Sequence, residues 1–526
     1  MDQRPKLSPV KREILRHNLR AIVDDMSIAL EHNSPSETVS EARDYAVAFT
    51  NASGEVVVAE NPFHIPSLAL TAQAILDYYE FNLRAGDLVV TNDPYRGGTQ
   101  TQDLTVFAPV YATEELVGCL LVRVHVPDLG GQVVGGYNPP ALEVWAEGVR
   151  IIPIKLARFG RLDRDIHQTV LLNSRVPDQT RGLLDAMLAT LALGQERVQR
   201  MLARYGFEPF VEGLEYALDY SEAATRTLIR DWSPGVFHGQ ATLGHDCAER
   251  SPVVRCQLEV RDGQVTLDFS GSDAQSPSFM NSAWGASCGS ALLPLISLLG
   301  DDLPMNSGVL RVVRFQATEG SLVRPAYPAA VGWGQAHPGS EIINAVSGAL
   351  SACTDQPLPR MPTQALVQCC FAKYRIFSLD ALIYPGAASV DGVNGWGPPG
   401  YSARRKLPSV EKCEIAFPEI SIERLEIVSD GRAAGDGHGA PASEVRVALR
   451  QPASVTACLN GPPDEKSLER RPVFSIQTED AELSVDTFCA DRRLASGVLT
   501  LRTAGGGHTS RAQAEAQGKG AAARRR

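Results

Sequence analysis

The chain has 526 residues, 21% of them charged, and a formal net charge of -11 at pH 7. This length can bury several cores, and with basic clusters few and short, chiefly Arg404-Arg405-Lys406 and Arg524-Arg525-Arg526, the acidic balance argues against a general nucleic-acid surface, which needs clustered positive charge. No segment is apolar over a bilayer's thickness and the charged start Met1 to Lys6 is not followed by an apolar signal core, so no membrane contact and a cytoplasmic location are expected. In chain order, Ser8 and Pro9 open a predicted helix that carries Leu15, Leu19, Ile22, Met26 and Ala29 on one face. Tyr45 to Phe49 and Glu55 to Ala59 flank the turn-like Asn51-Ala52-Ser53-Gly54 and read as a hairpin. Ser67 to Tyr79 reads as a helix, and Leu88-Val89-Val90 as a strand.

A long helix from about 178 to 205 follows Pro177, with an apolar stripe through Leu184, Met187, Leu191, Val198, Met201 and Leu202 that reads as core. Beyond Gly206 strand-like pieces prevail, such as Gln257 to Val260 and Val265 to Phe269 joined by Asp262-Gly263, a hairpin signal. Ala286 to Leu299 reads as a buried helix, and short strands with Gly/Pro loops continue to about Leu501. The expected fold class is α+β, a mixed multi-layer architecture. Three parts are expected: an N-terminal α/β region over 1–206 holding the candidate site loops, a mixed α+β region over 207–504, richer in strands, and a disordered tail over 505–526. The ten cysteines lack a Cys-x-x-Cys pair and read as buried, reduced thiols.

Two loops at strand ends carry the chemistry. Thr91 to Asp103 combines Asp93, Arg96, Gly97, Gly98 and Gln100; His125 to Gly131 presents His125 and Asp128 on either side of Pro127. Imidazole and carboxylate can ligate Zn, Mn or Fe, and Asp103 would add a third ligand if the two strands are neighbours. The alternative is a hydrogen-bonded loop histidine and an Asp128 that forms a turn before Gly130-Gly131. Arg96 can fork onto a carboxylate or phosphate, and Gly97 and Gly98 would let the backbone approach a ligand closely; the alternative is a structural turn locked by Asp93. Glu143 and Glu147 are either supports for a ligand or solvated surface. His238, His245 and His337 read as structural, and no Walker lysine motif is present, so ATP chemistry belongs elsewhere.

These motifs, with Ser40 to Tyr45, His64-Ile65-Pro66, Glu147 to Leu156, Asn173 to Pro177, Asp268 to Ser272, Met305 to Gly308, Glu319 to Leu322 and Asp391-Gly392, resemble in order and spacing the B subunit of the hydantoinase/oxoprolinase family. The resemblance implies a B-type subunit of a heteromeric, ATP-dependent amidohydrolase or ketone carboxylase. An A-type partner would use ATP to phosphorylate an amide or enol oxygen of a cyclic amide or ketone, and this subunit would process the product, with a divalent metal at His125 and Asp128. His125, Asp128, Asp93 and Gln100 are then the expected catalytic residues, and Arg96, Gly97, Gly98 and His64 the expected substrate contacts. Relatives carry histidine where this chain has Leu68, Gln100 and Val126, which leaves open a second reading, a catalytically degenerate scaffold or regulatory subunit. The glycine run of relatives is matched only by Gly505-Gly506-Gly507-His508.

Overall fold

Branched and aromatic residues alternating along the first strands build a seven-stranded sheet in the order β2-β1-β5-β4-β3-β6-β7. The strands are β1 (Tyr45–Asn51), β2 (Val56–Ala59), β3 (Leu88–Thr91), β4 (Asp103–Ala112), β5 (Glu115–His125), β6 (Ile154–Arg158) and β7 (Arg161–Leu162). Every pairing in the sheet is antiparallel. This is a computed structural model, and it describes residues 7–300, 302–399, 406–428, 438–461 and 471–509.

A strand's side chains point alternately to the two faces of the sheet, and here the faces bury different partners. Leu104, Val106, Leu120, Val122 and Val124 face a core with the helices Pro9–Asn33, Pro177–Tyr205 and Phe207–Arg230. Phe107, Cys119 and Leu121 face the helix Ile65–Tyr78. The first helix starts as its sequence requires: Ser8 Oγ accepts from Lys11 N, and Leu15, Leu19, Ile22 and Met26 are buried. The hairpin at 45–59 and the strand at 88 form where expected.

A second core lies between the sheet of Gly235–Thr242, Val253–Arg261, Gln264–Asp268 and Val313–Gln316 and the helices Trp284–Leu299 and Gly339–Thr354. Asp262 and Gly263 turn its hairpin with φ of 53° and 70°. A third core joins a four-stranded sheet, which includes Ala365–Cys370 and Ala453–Leu459, to a five-stranded one, which includes Ala442–Leu449 and Gly497–Arg502. The α+β class is as expected.

The structure differs from the sequence reading in three places. The boundary at 206 falls between two helices, and Phe207–Arg230 still gives Phe210, Leu214, Ala217 and Leu218 to the first core. Gly339–Thr354, expected as strands and loops, is a helix whose buried small residues Ala345, Ser347 and Ala349 give little amphipathic contrast. In the expected disordered tail, His508–Thr509 pairs in parallel with Ser389–Val390, and a Cβ on Gly506 would meet the Ala387 carbonyl; residues 510–526 lie outside the described residues.

All ten cysteines are free; seven are buried, and Cys247, Cys370 and Cys489 are partly exposed. Among the described residues no helix is long and apolar enough to cross a membrane.

Candidate active site

The hairpin β4–β5 decides the centre of the site. Its register places Asp103, the first residue of one strand, opposite His125, the last of the other. Strand alternation puts both on the face that carries Phe107, Cys119 and Leu121, beyond the cover of the Ile65–Tyr78 helix, with Thr105 and Arg123 between. Asp103 Oδ1 lies 3.0 Å from His125 Nδ1. The other carboxylate oxygen accepts from Gln335 Nε2 at 2.7 Å and from the Thr99 hydroxyl.

Gln100 Nε2 donates to Asp103 Oδ1 at 3.1 Å and lies 2.9 Å from His125 Nδ1. With Nδ1–H given to the carboxylate, the amide serves Asp103 and the Tyr137 hydroxyl instead. Tyr137 stacks on the His125 ring at 6.0 Å. Asp44 Oδ2 stands 3.9 Å from Nδ1.

Electrostatics follow from this packing. Burial works against the imidazolium, yet the Asp103 bond and the Asp44 and Asp103 charges win, so the pKa of His125 is raised. Burial likewise opposes the Asp103 carboxylate, and the bonds from His125 and Thr99 hold its pKa low all the same. Arg123 is wholly buried and held by neutral oxygens, Ser67 Oγ at 2.7 Å, Thr105 Oγ1 at 2.8 Å and Thr71 Oγ1 at 2.9 Å. Burial pulls its pKa down to about 10, which leaves it charged. Burial and the Arg123 charge together push His64 down to about 3, so it is a neutral imidazole, and its Nδ1 has no hydrogen-bond partner.

Two cavities meet at this wall. One of about 390 Å³ is lined by His125, Pro127 and Gly135; a second of about 670 Å³ is lined by His64, Gln100, Trp333 and Gln335. Asp44, Tyr137 and Asp380 line both. The structure therefore gathers His125, Asp103, Gln100 and His64 from the sequence candidates. Sequence reasoning missed Asp44, Tyr137 and Gln335; Asp44 lies within the Ser40 to Tyr45 motif, whereas nothing local marks Gln335.

The other candidates stand apart. Asp128 accepts four hydrogen bonds, from Gly130 N and Arg175 N at 3.1 and 2.8 Å, and from Gly135 N and Arg175 Nη1 at 3.0 and 2.8 Å. The carboxylate is fully engaged in anchoring its own loop, so the expected metal role for Asp128 is corrected to a structural one. Among the described residues no three His, Cys, Asp or Glu side chains converge to hold a metal ion, and the donor set His125, Asp128 and Asp103 does not fit one.

Asp93 accepts from Tyr95 N at 3.0 Å and sits 3.6 Å from both Arg96 Nε and Arg150 Nη1. It locks the turn, and burial raises its pKa. Arg96 stacks over Tyr78 at 5.7 Å and lines a separate cavity of about 410 Å³. The glycines approach protein: a Cβ on Gly97, whose φ is +91°, would stand 2.3 Å from Thr71 N, and one on Gly98 would stand 2.6 Å from the Asp93 carbonyl oxygen. Gly97→Ala is accordingly expected to cost about 1–3 kcal/mol, read as a lower urea midpoint.

Glu147 accepts from Val331 N at 3.0 Å and Gly332 N at 2.6 Å, steadying the segment that carries Trp333 and Gln335, and burial raises its pKa to about 8. Glu143 joins that segment through an isolated bridge to Ala329. Leu68 and Val126 are core residues on opposite faces of the sheet, so of the three positions where the family resemblance leads one to expect histidine only Gln100 lies beside the imidazole. His337 is structural, as expected: Glu341 Oε1 lies 2.9 Å from Nδ1, and Gln364 N donates to Nε2 at 3.1 Å.

The fold and this site define an α+β protein with a buried acid–imidazole pair beside two cavities. Residues 8–462 match the family model Hydantoinase B/oxoprolinase, and the chain belongs to that family. An uncharacterized protein of Methanocaldococcus jannaschii is 29% identical over 64% of this chain and 60% of its own length. The caprolactamase subunit beta of Pseudomonas jessenii is 26% identical over 82% of this chain and 77% of that subunit. Among solved structures, ATP-dependent caprolactamase from Pseudomonas jessenii superposes with a TM-score of 0.87 at 22% identity, covering 96% of this chain and 91% of that one. Nucleotide-free acetone carboxylase gives 0.85 at 15%, covering 95% and 76%.

Proposed function

We propose that this chain is the B-type subunit of an ATP-dependent amidohydrolase or ketone carboxylase, and that the Asp103–His125 pair moves protons at an intermediate phosphorylated by an A-type partner. The observation that carries the reading is the pair itself, set opposite in strand register with His125 lining a cavity and Asp103 buried behind it. The family supports it, as do relatives whose names carry caprolactamase and acetone carboxylase activities.

Phosphorylation converts a poorly reactive amide or enol oxygen into a leaving group. In the hydrolytic case the Asp103 carboxylate accepts the hydrogen bond from His125 Nδ1–H, which leaves Nε2 free to accept a proton from the attacking water. The tetrahedral adduct expels the amine, whose nitrogen takes up the proton from His125 as the C–N bond breaks, and a second water then displaces phosphate, with the former amide oxygen, from the acyl phosphate that remains. Neutral His64 lines the larger cavity, where its ring would meet the substrate. A cyclic amide or ketone fits the proposal, as does a cytoplasmic hetero-oligomer.

The test is reconstitution with the A-type partner recovered by co-purification: ADP should form in step with substrate loss. The chain alone should hydrolyse no ATP, since it carries no phosphate-binding loop with lysine; sustained ATP turnover by the purified chain would refute the division of labour.

Gln100 favours the scaffold reading, because an amide that does not titrate occupies the place beside the imidazole. Wild-type turnover by a complex that contains His125→Ala would establish that reading instead.

A further inference from the structure

Away from this pair, a second cluster of reactive side chains lies where the Gly235–Thr242 strand gives way to a turn. Cys247 Sγ is 3.7 Å from Sγ of Cys458, which belongs to strand Ala453–Leu459. His245 lies beside Cys247: its Nε2 bonds the Leu459 carbonyl, so Nε2 carries the proton, and its Nδ1 lies 3.9 Å from the Cys247 sulfur as an acceptor. Asp246 fixes the turn, accepting from Ala248 N and Arg250 N at 3.0 Å each, from Arg250 Nε at 2.7 Å and from Ser276 Oγ at 3.1 Å.

Cys247 is partly exposed, whereas Cys458 is buried. The bond to Cys458 and the contact with His245 outweigh burial and bring the Cys247 thiol down to about 7. Burial raises the other nine thiols.

We propose that Cys247 and Cys458 form a peroxide-reactive thiol pair, with Cys247 as the attacking thiolate and Cys458 as the thiol that closes a disulfide. The Cys247 thiolate attacks one oxygen of a hydroperoxide. The O–O bond breaks, and the departing oxygen takes up the proton that Cys247 gave up and leaves as water or an alcohol. The sulfur is now a sulfenic acid. Cys458 sulfur attacks it, the S–S bond forms as the S–O bond breaks, and the hydroxyl departs with the Cys458 proton as water. Two electrons pass from the two sulfurs to the peroxide. Closure from 3.7 Å to a bond of about 2 Å needs only a small side-chain movement. Both cysteines adjoin the apolar cluster that holds Trp333, Leu366 and Tyr137, residues of the larger cavity's wall, so the cross-link would be felt at the site.

The experiment treats the purified full chain with hydrogen peroxide, blocks remaining thiols, and maps peptides without reduction. A linked pair containing Cys247 and Cys458, lighter by two hydrogens and released by dithiothreitol, is expected. In Cys458→Ser, Cys247 should instead be trapped by dimedone as the sulfenic acid; in Cys247→Ser, Cys458 should stay reduced. Iodoacetamide at pH 7 should label Cys247 roughly ten times faster than Cys370 or Cys489. Oxidation of Cys370 or Cys489 ahead of Cys247, or the absence of the linked pair in the wild-type chain, would overturn the proposal without calling on either variant.

Discussion

Replacing His125 by Ala is expected to lower turnover of the reconstituted complex roughly a thousandfold, the span of a positioned general acid or base. The imidazole contributes little to any core, lying at the cavity wall with Tyr137, so the fold should persist by circular dichroism. Asp103→Asn should cost a comparable factor. An asparagine amide that donates to Nδ1 selects the tautomer with its proton on Nε2, which can no longer accept one.

The pH profile separates this from a structural effect. The His125 pKa is raised against the pull of burial by the Asp103 bond and by the Asp44 and Asp103 charges. Activity that needs neutral His125 therefore rises with pH through that raised value, and in Asp103→Asn the rise should move to lower pH. For stability the sign is the reverse: the ion pair's contribution is complete below the unfolded pKa of 6.5 and is lost as pH rises through the folded one. Gln100→His should add a second titration near neutrality, and Gln100→Ala should lower turnover by loosening Asp103 and Tyr137. Wild-type profiles for every one of these variants would leave the scaffold reading standing.

Asp128→Ala is expected to be the most destabilising of the variants considered, by about 3–5 kcal/mol. The carboxylate is completely buried, and its removal strands two glycine amides, the Arg175 amide and the Arg175 guanidinium. Arg175 keeps its bond to the Gly131 carbonyl at 2.5 Å, but its charge loses its buried counterpart. The loop that Asp128 anchors carries Gly135 and leads to Tyr137, so activity should fall together with stability. A lower urea midpoint at unchanged slope would show this. Metal analysis of the same variant should match the wild-type chain, since Asp128 is turned wholly inward; a stoichiometric metal in wild type that this variant loses would reverse the assignment.

Local physics carried much of the sequence reading. The first helix was legible from its Ser8 cap and its apolar stripe, and the hairpins from their turn residues and alternating strands. The same alternation placed Asp103 and His125 within reach, because they are 22 residues apart on one antiparallel hairpin whose register is short-range. Strand ends and glycines marked the loops correctly, but not what each polar group faces. Asp93, Gly97, Gly98 and Asp128 hold protein in the structure, and a carboxylate that anchors a turn has the same sequence signature as one that awaits a ligand.

Only tertiary packing brought Gln335 to Asp103 across 232 residues of chain, set His64 beside the Arg123 charge, and laid Cys247 against Cys458. Periodicity reports which face of an element is buried, and it says nothing about which distant element covers that face. Asp44 reaches the pair through the first sheet, where Tyr45 pairs with Val124 and His125 N donates to the Asp44 carbonyl, whereas Gln335 arrives from a segment distant in the chain.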